Sequence, residues 1–186
     1  FDVTDFAPVL KGKKRLYMSR GGQWQEEMDI RFEFIEGIPD RDIIDIQQIW
    51  RVDAVPYARI LDDWRFEPRQ FQYDPSVASY VIKTAITGHG QQGEFIPRNH
   101  LIDVDGFVDT WSVWKECAEN PVYPQGGTWV YDRAGWCPGM ATDVREYDVT
   151  PYFQFAQNPT VDYSVQTASG DSRYIVSSQL LQYGPA

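Results

Sequence analysis

Apolar and polar residues alternate with period two over much of this chain, and that alternation predicts β-strands. The alternating segments are rich in β-branched and aromatic residues and are separated by Gly, Pro and Asn. They are residues 28–35, 43–52, 79–86, 100–104, 161–165 and 174–181. No apolar pattern of helical period extends over 12 or more residues. The sequence therefore predicts an all-β protein, a sandwich or a jelly roll.

A short pattern occurs twice, once at each end of the chain. Asp2-Val3-Thr4 precedes Asp5-Phe6, and Asp148-Val149-Thr150 precedes Pro151-Tyr152-Phe153. At both places we expect a strand to end and one turn of helix to follow. A repeated unit indicates two related domains, with a chance match of three residues as the alternative. Gly37-Ile38-Pro39-Asp40 interrupts two strand patterns, so we predict the domain boundary there.

The charge of the chain narrows its partners. Seventeen Lys and Arg against 27 Asp and Glu give a net charge of −10 over 186 residues, which argues against nucleic acid as the main partner. Neutral and cationic ligands remain possible.

No apolar stretch approaches the roughly 20 residues of a membrane helix, so we expect no membrane span. The first five residues do not resemble a signal peptide, and we expect any targeting segment to have been removed.

The two cysteines, Cys117 and Cys137, allow two interpretations. A disulfide between them would close a loop of about 20 residues, stabilise the protein by about 3 kcal/mol and indicate an oxidising compartment. The alternative is a pair of buried free thiols.

Both cysteines lie in the longest stretch without strand alternation, residues 116–140. Long loops in compact domains are usually functional or cross-linked. Here Asp132-Arg133 lies between Trp129 and Trp136. The guanidinium can hold a carboxylate or a carbonyl oxygen, and an indole offers an apolar plate for a sugar face. The alternative is an Asp132–Arg133 pair that only supports the loop.

A second loop, residues 87–100, combines glycines with an acidic residue. The glycines allow the backbone to approach a ligand closely, and Glu94 precedes apolar Phe95 and Ile96, which would raise its pKa by desolvation. Such a carboxyl suits proton donation to a polarised carbonyl. The alternative is a solvated surface glutamate.

Other chemistries have little support. His89 and His100, even with Met140, lack the spacing of a zinc or copper site. The Gly-x-Ser-x-Gly motif of a serine nucleophile is absent, and so is a glycine-rich phosphate-binding loop. We therefore expect no metal and no cofactor. Four further tryptophans lie on strand-like segments and are predicted to pack in the core rather than to bind ligand. They are Trp50, Trp64, Trp111 and Trp114.

The loop around Arg133 resembles the second domain of the peptide-N-glycosidase F family, bacterial amidases that remove N-linked glycans from asparagine. The block from Asp132 to Met140 carries the likeness, together with Gly127-Thr128-Trp129. Flanking segments agree over essentially all 186 residues. They are Asp2–Phe6, Gly37–Asp40, Val55–Tyr57, Ile86–Gly88, Glu94 with Arg98 and His100, Cys117 with Asn120 and Pro121, and Ser177 with Ser178.

The resemblance implies a fold. Members of the family consist of two packed eight-stranded jelly rolls, an architecture shared with copper-dependent peptidylglycine monooxygenases, and the glycan site lies between the rolls. Residues 1–39 would be the closing strands of a first, truncated roll, and residues 43–186 the second roll. The resemblance also implies a Cys117–Cys137 disulfide.

The resemblance also implies an activity and its residues. The reaction is hydrolysis of the amide bond between the GlcNAc of an N-glycan and asparagine, without a cofactor. Glu94 and Arg133 would be catalytic, and the substrate-binding residues would be Trp136, His89, Asp132 and Trp129. The partners would be an N-glycosylated peptide or glycan and the missing first roll. The protein would be secreted, periplasmic or on the cell surface of a member of the Bacteroidetes.

Three departures from the family pattern favour an alternative function. The resemblance places an essential aspartate upstream of residue 1, and Ser19 replaces a second acid unless Glu26 or Glu27 takes its place. A cysteine pair that brackets the glutamate is absent around Glu94, and His89 replaces a loop tryptophan. The alternative is a non-catalytic jelly-roll module that binds carbohydrate or protein in a surface or secretion assembly. A copper monooxygenase is a third and weaker reading.

Overall fold

The computed structural model describes residues 2–19, 29–122 and 127–185, which form eight strands and a few short helices. The helical segments are a 3-10 turn Thr4–Phe6, α1 Ala7–Leu10, α2 Tyr57–Ile60, α3 Gln91–Phe95 and α4 Thr150–Ala156. The strands are β1 Ile43–Pro56, β2 Arg69–Gln70, β3 Ser79–His89, β4 Arg98–Val104, β5 Phe107–Val113, β6 Val144–Asp148, β7 Thr160–Val165 and β8 Arg173–Tyr183. None of these helices has the length and apolar character needed to cross a membrane.

The strands form two antiparallel sheets of four. The first sheet has the order β1-β8-β3-β6 and the second the order β2-β7-β4-β5. Successive strands therefore cross between sheets, except for β4 and β5, which form a hairpin in the second sheet. The last strand lies beside the first, and this is the connectivity of an eight-stranded jelly roll. The predicted all-β jelly-roll fold is confirmed.

Five of the six segments with alternating sequence are strands. β1, β3, β4, β7 and β8 contain the predicted segments, and β3 shows why the pattern works. Its residues Tyr80, Ile82, Thr84 and Ile86 are buried, whereas the residues between them are half-buried. One face of the strand thus enters the space between the sheets.

The strand predicted for residues 28–35 is wrong over the residues that are described. Met28 lies outside the described residues, and residues 29–35 have no regular secondary structure. Phe34 and Ile35 are 83% and 92% exposed. Alternation yields a strand only where a neighbouring strand completes the ladder, and no described strand pairs with this segment.

The helical turn predicted after each Asp-Val-Thr is confirmed. Thr4–Phe6 forms the 3-10 turn that leads into α1, and α4 begins at Thr150. β6 ends at Asp148, as predicted, whereas the residue before Asp2 lies outside the described residues. In the second copy the Asp148 carboxylate accepts a hydrogen bond from the Thr150 backbone N–H at 3.0 Å, which holds the turn.

Aromatic side chains fill much of the core. Trp50, Phe66 and Tyr163 are each no more than 2% exposed, and the ring centroids of Phe66 and Tyr163 are 4.7 Å apart. Trp111 is partly buried against this core. The core prediction is wrong for Trp64, which is 39% exposed and faces two arginines described below.

An ionic network attaches the N-terminal segment to the first sheet. The Asp5 carboxylate accepts hydrogen bonds from Lys83 Nζ at 2.7 Å and from Arg41 Nη2 at 3.2 Å. Lys83 and Arg41 also contact Glu146, at 3.0 and 3.3 Å. Since Lys83 is on the outer face of β3, the 3-10 turn lies against the outside of the roll.

Candidate active site

The helix α3 brings Glu94 to one end of the first sheet. It follows β3 after a single residue, Gly90, whose φ is +78°. A Cβ at Gly90 would lie 2.0 Å from the carbonyl oxygen of Asp171, so only glycine fits there. The Gly90 carbonyl also accepts a hydrogen bond from the Glu94 N–H at 2.8 Å. The sequence predicted that glycines here would let the backbone approach a ligand, whereas Gly90 instead admits the backbone at Asp171, and the position of Glu94 depends on that approach.

A disulfide loop brings Arg133 to the same end. Cys117 and Cys137 form a disulfide with their Cα atoms 5.6 Å apart, so the disulfide interpretation is confirmed and the free-thiol alternative is wrong. Arg133 and Lys115 exchange two backbone hydrogen bonds, of 2.9 and 3.1 Å. The Asp132 carboxylate accepts a hydrogen bond from the Cys117 N–H at 3.0 Å. These contacts fix the backbone on both sides of Arg133.

Glu94 and Arg133 form an ion pair. Arg133 Nη1 lies 2.7 Å from Glu94 Oε1, and the two side chains are only 4% and 18% exposed. The predicted alternative pair of Asp132 with Arg133 is not formed, because Arg133 pairs with Glu94. Glu94 is therefore not a solvated surface glutamate.

The other donors of Arg133 bind the loop itself. Its Nε donates to the Tyr131 carbonyl at 3.2 Å, and its Nη2 donates to the Thr128 carbonyl and lies 3.4 Å from the Thr128 hydroxyl. Most of the five guanidinium N–H groups thus have acceptors within the protein. In this arrangement Arg133 positions Glu94 and the loop, and Glu94 is the more accessible member of the pair.

Glu94 keeps one oxygen available beside its ion pair. Burial raises the pKa of its carboxyl, and the attraction of Arg133 offsets this only in part. Its second oxygen has no hydrogen-bond partner among the described residues. That oxygen is the atom of the pair that a substrate could contact.

Aromatic rings surround the guanidinium. Arg133 Cζ lies 5.1 Å from the ring centroid of Phe95 and 4.8 Å from that of Trp136. Trp136 in turn stacks on His89, with ring centroids 5.6 Å apart, and its indole N–H donates to the Gly88 carbonyl at 3.1 Å. Burial lowers the pKa of His89, so a neutral imidazole is favoured in the stack. The rings shield the ion pair from water and strengthen it.

Beside the ion pair lies an open hollow of about 700 Å³. It is lined by Gln91, Phe95, Trp114, Thr128, Val130, Tyr131 and Asp132. Of the four predicted substrate-binding residues, Asp132 lines this hollow, and Trp136 and His89 belong to the ring stack. Trp129 is half-buried between two lining residues. Phe95 joins the two parts, since it contacts Arg133 and lines the hollow.

Several residues of this region were not predicted from the sequence. Trp114 lines the hollow, although it was expected in the core. Phe95 was named only as an apolar neighbour of Glu94, and the structure adds that it contacts Arg133 and lines the hollow. Thr128 and Tyr131 accept hydrogen bonds from Arg133 mainly through main-chain carbonyls, which every residue type possesses. That role has no signature in residue type.

The described residues contain no group of three or more His, Cys, Asp or Glu that could hold a metal ion. His100 is instead a core residue, 1% exposed, with Nδ1 2.6 Å from the Tyr163 hydroxyl. The expectation that the reaction needs no cofactor stays a prediction.

Comparison with known proteins identifies the family. The protein-family model described as "Peptide-N-glycosidase F, C terminal" matches residues 56–181. Peptide-N(4)-(N-acetyl-beta-D-glucosaminyl)asparagine amidase F of Elizabethkingia miricola is 27% identical over 207 aligned positions, which cover 95% of this chain and 56% of that protein. The chain therefore spans about half the length of the curated relative it matches.

Solved structures agree in fold. PNGase F of Flavobacterium meningosepticum, named a glycosylasparaginase, superposes with a TM-score of 0.69 at 22% identity over 82% of this chain and 55% of its own. PNGF-II superposes with a TM-score of 0.58 at 19% identity over 78% of this chain and 31% of its own. Since the protein-family model covers more than half of the residues, this chain belongs to the peptide-N-glycosidase F family, within the part that forms its C-terminal domain.

Proposed function

We propose that this chain is the second jelly roll of a glycoprotein amidase, which hydrolyses the bond between asparagine and the GlcNAc of an N-glycan. Water adds its oxygen to the side-chain carbonyl carbon, the C–N bond breaks, and the nitrogen departs with the sugar as a glycosylamine. Asparagine becomes aspartate. The observation that carries the proposal is the shielded Glu94–Arg133 pair, 2.7 Å apart, beside an open hollow.

In this proposal Glu94 acts on the amide and Arg133 acts through Glu94. The raised pKa of Glu94 favours a carboxyl that donates a hydrogen bond or a proton to the linkage as negative charge develops on its oxygen. Arg133 is too enclosed to reach substrate, and it holds the carboxyl in place through Nη1. Trp136, His89, Trp129 and Asp132 belong to the surface that would bind the glycan and its peptide.

The proposed division of the chain follows the family architecture. We propose that residues 1–39, whose described part contains no strand, become the closing strands of a first roll when they pack against that roll, and that residues 43–186 are the second roll. The essential aspartate is supplied by the first roll, across a cleft that both rolls line. The Cys117–Cys137 disulfide supports an oxidising location, and we propose secretion to the periplasm, the cell surface or the medium of a bacterium of the Bacteroidetes.

A second candidate function is a non-catalytic module that binds carbohydrate or protein in a surface assembly. Two observations favour it. The donors of Arg133 are directed at the protein itself, and Ser19, where the family has an acid, is an exposed residue in an irregular segment. Glu26 and Glu27, which could replace that acid, lie outside the described residues.

The test is glycan release by the full-length protein from a denatured high-mannose glycoprotein, measured by mass spectrometry of the freed glycans. We expect Glu94→Gln to lower the rate at least 100-fold, because an amide cannot transfer the proton. Glu119→Gln removes one negative charge from an exposed position and should leave the rate within twofold. Release by Glu94→Gln at the wild-type rate would exclude the proposed role. Glycan binding by wild type and variant alike, without release, would establish the second function.

A further inference from the structure

A second concave site lies on the flank of the roll, away from Glu94 and Arg133. It spans the edge strands β1 and β2 and has a volume of about 400 Å³. It is lined by Gln48, Ile49, Trp50, Arg51, Val52, Arg65, Glu67 and Arg69. Three arginines and one glutamate give this pocket a positive charge in a chain whose net charge is −10. The pocket shares no lining residue with the hollow beside Arg133.

A β-bulge builds one wall of the pocket. β1 pairs Gln48 with Gln179 and then Trp50 with Ser178, so Ile49 is the extra residue. Ile49 and Trp50 are consecutive and both 2% exposed, and Arg51 after them is exposed. The indole N–H of Trp50 donates to the Glu67 carbonyl at 3.2 Å, which ties the opposite wall to β1. Bulges commonly redirect side chains at functional sites.

The opposite wall holds Arg65 in a defined orientation. Asp63 and Arg65 have φ values of +53° and +67°, a region that residues other than glycine seldom adopt. The guanidinium of Arg65 lies 4.5 Å from the ring centroid of Trp64, and that of Arg59 lies 4.8 Å from the same centroid. Stacking engages the face of a guanidinium and leaves the N–H groups at its edge available.

The charges of the pocket are poorly neutralised by the protein. Arg69 and Glu67 are 4.0 Å apart and more than half exposed, which makes a weak pair. Within the part of the chain that the structure describes, Arg51 and Arg65 form no ion pair. The alternative is that these arginines only prevent the edge strands from pairing with strands of another molecule. That role requires neither a left-handed turn nor a tryptophan that orients Arg65.

We propose that this pocket binds an oxyanion carried by a glycan, either a sulfate ester or the carboxylate of an acidic sugar. The planar donor fork of arginine matches both groups, and arginines that line one concavity favour an anion over a neutral sugar. The saccharide part of the assignment rests on the proposed function, whereas the affinity for an oxyanion does not. The pocket would hold an acidic branch of a substrate whose linkage is bound elsewhere.

The experiment is isothermal titration at low ionic strength with four probes: N-acetylglucosamine 6-sulfate, glucuronic acid, N-acetylglucosamine and inorganic sulfate. We expect the sulfated sugar or glucuronic acid to bind at least fivefold more tightly than N-acetylglucosamine and inorganic sulfate, and the tighter of the two identifies the oxyanion. Arg51→Gln and Arg65→Gln should each weaken that binding at least fivefold. Trp64→Leu should weaken it at least threefold without a change of charge, because Arg65 loses its support.

Arg31→Gln is the matched control, since Arg31 is a highly exposed arginine in an irregular segment, and it should change the affinity less than twofold. The pocket assignment is wrong if Arg31→Gln weakens the affinity as much as Arg51→Gln does, or if Trp64→Leu leaves the affinity unchanged. Equal affinity for free sulfate and sulfated sugar would overturn its assignment to a glycan. The same affinity should be measured in Glu94→Gln, which lowers the rate of glycan release in the proposed function. A failure of this proposal is therefore distinguishable from a failure of that one.

Discussion

The two arginine sites of this roll use the same side chain in opposite ways. Arg133 is 4% exposed and directs its donors at Glu94, Thr128 and Tyr131, so its binding capacity serves the protein itself. Arg65 rests on Trp64, is exposed and leaves its donor edge unused by an acid. The first site is ordered before substrate arrives, and the second gains its partner only from outside. An arginine whose N–H groups bind acceptors within the protein positions its neighbours, whereas an arginine with few such acceptors can bind a ligand. The number of protein acceptors therefore separates the two roles, although the residue type is the same.

Removing Arg133 should have the largest effect on stability. Arg133→Met leaves the Glu94 carboxylate and the Thr128 carbonyl without their donor, and we expect a loss of about 3 kcal/mol in the free energy of unfolding. Arg65→Met removes an equal charge from the flank and should stay within about 0.5 kcal/mol of wild type. Urea denaturation measures both. Equal losses of unfolding free energy in the two variants would contradict the difference proposed between the sites.

Opening the disulfide should be the next largest effect. The Cys117→Ser and Cys137→Ser double variant frees a loop of about 20 residues and should cost about 3 kcal/mol or somewhat less. Because this loop carries Arg133 and not the flank, glycan binding should weaken while sulfate binding at the pocket persists. Loss of both activities at a temperature where circular dichroism shows a folded protein would contradict this separation.

Mild acid should act on a buried group rather than on the surface arginines. Burial lowers the pKa of His100 to about 3, so the native state keeps it neutral while the unfolded chain protonates it near pH 6.5. Stability from this residue is therefore complete above pH 6.5 and is lost as pH falls toward 3, by about 2 kcal/mol at pH 5. His100→Gln should flatten the fall in unfolding free energy between pH 7 and 5. An unchanged slope would show that His100 does not set it.

The sequence predicted most of the strands because each alternating segment has a partner and a core to face. Residues 29–35 alternate as clearly as β3, yet they form no strand, since alternation carries no information about whether a neighbour exists. The helical turn at Thr150 was predictable because the repeated Asp-Val-Thr pattern is local, and the Asp148 carboxylate accepts the Thr150 N–H within it.

The candidate site was only partly predictable. Glu94 and Arg133 were singled out from their loops, and the family resemblance assigned their roles. Their pairing was not predicted, since it joins residues 39 apart and depends on the disulfide loop and Gly90. The flank pocket was not predicted at all. It depends on a bulge at Ile49 and a left-handed turn at Arg65, and neither leaves a signature in residue type.

A double-mutant cycle of Glu94→Gln and Arg133→Met tests the central claim most directly, namely that the guanidinium acts through the carboxyl. Urea denaturation of wild type, the two single variants and the double variant gives the coupling free energy. We expect about 2 kcal/mol, because either substitution alone breaks an enclosed ion pair and the second then costs little. Additive losses, within about 0.5 kcal/mol, would contradict the claim.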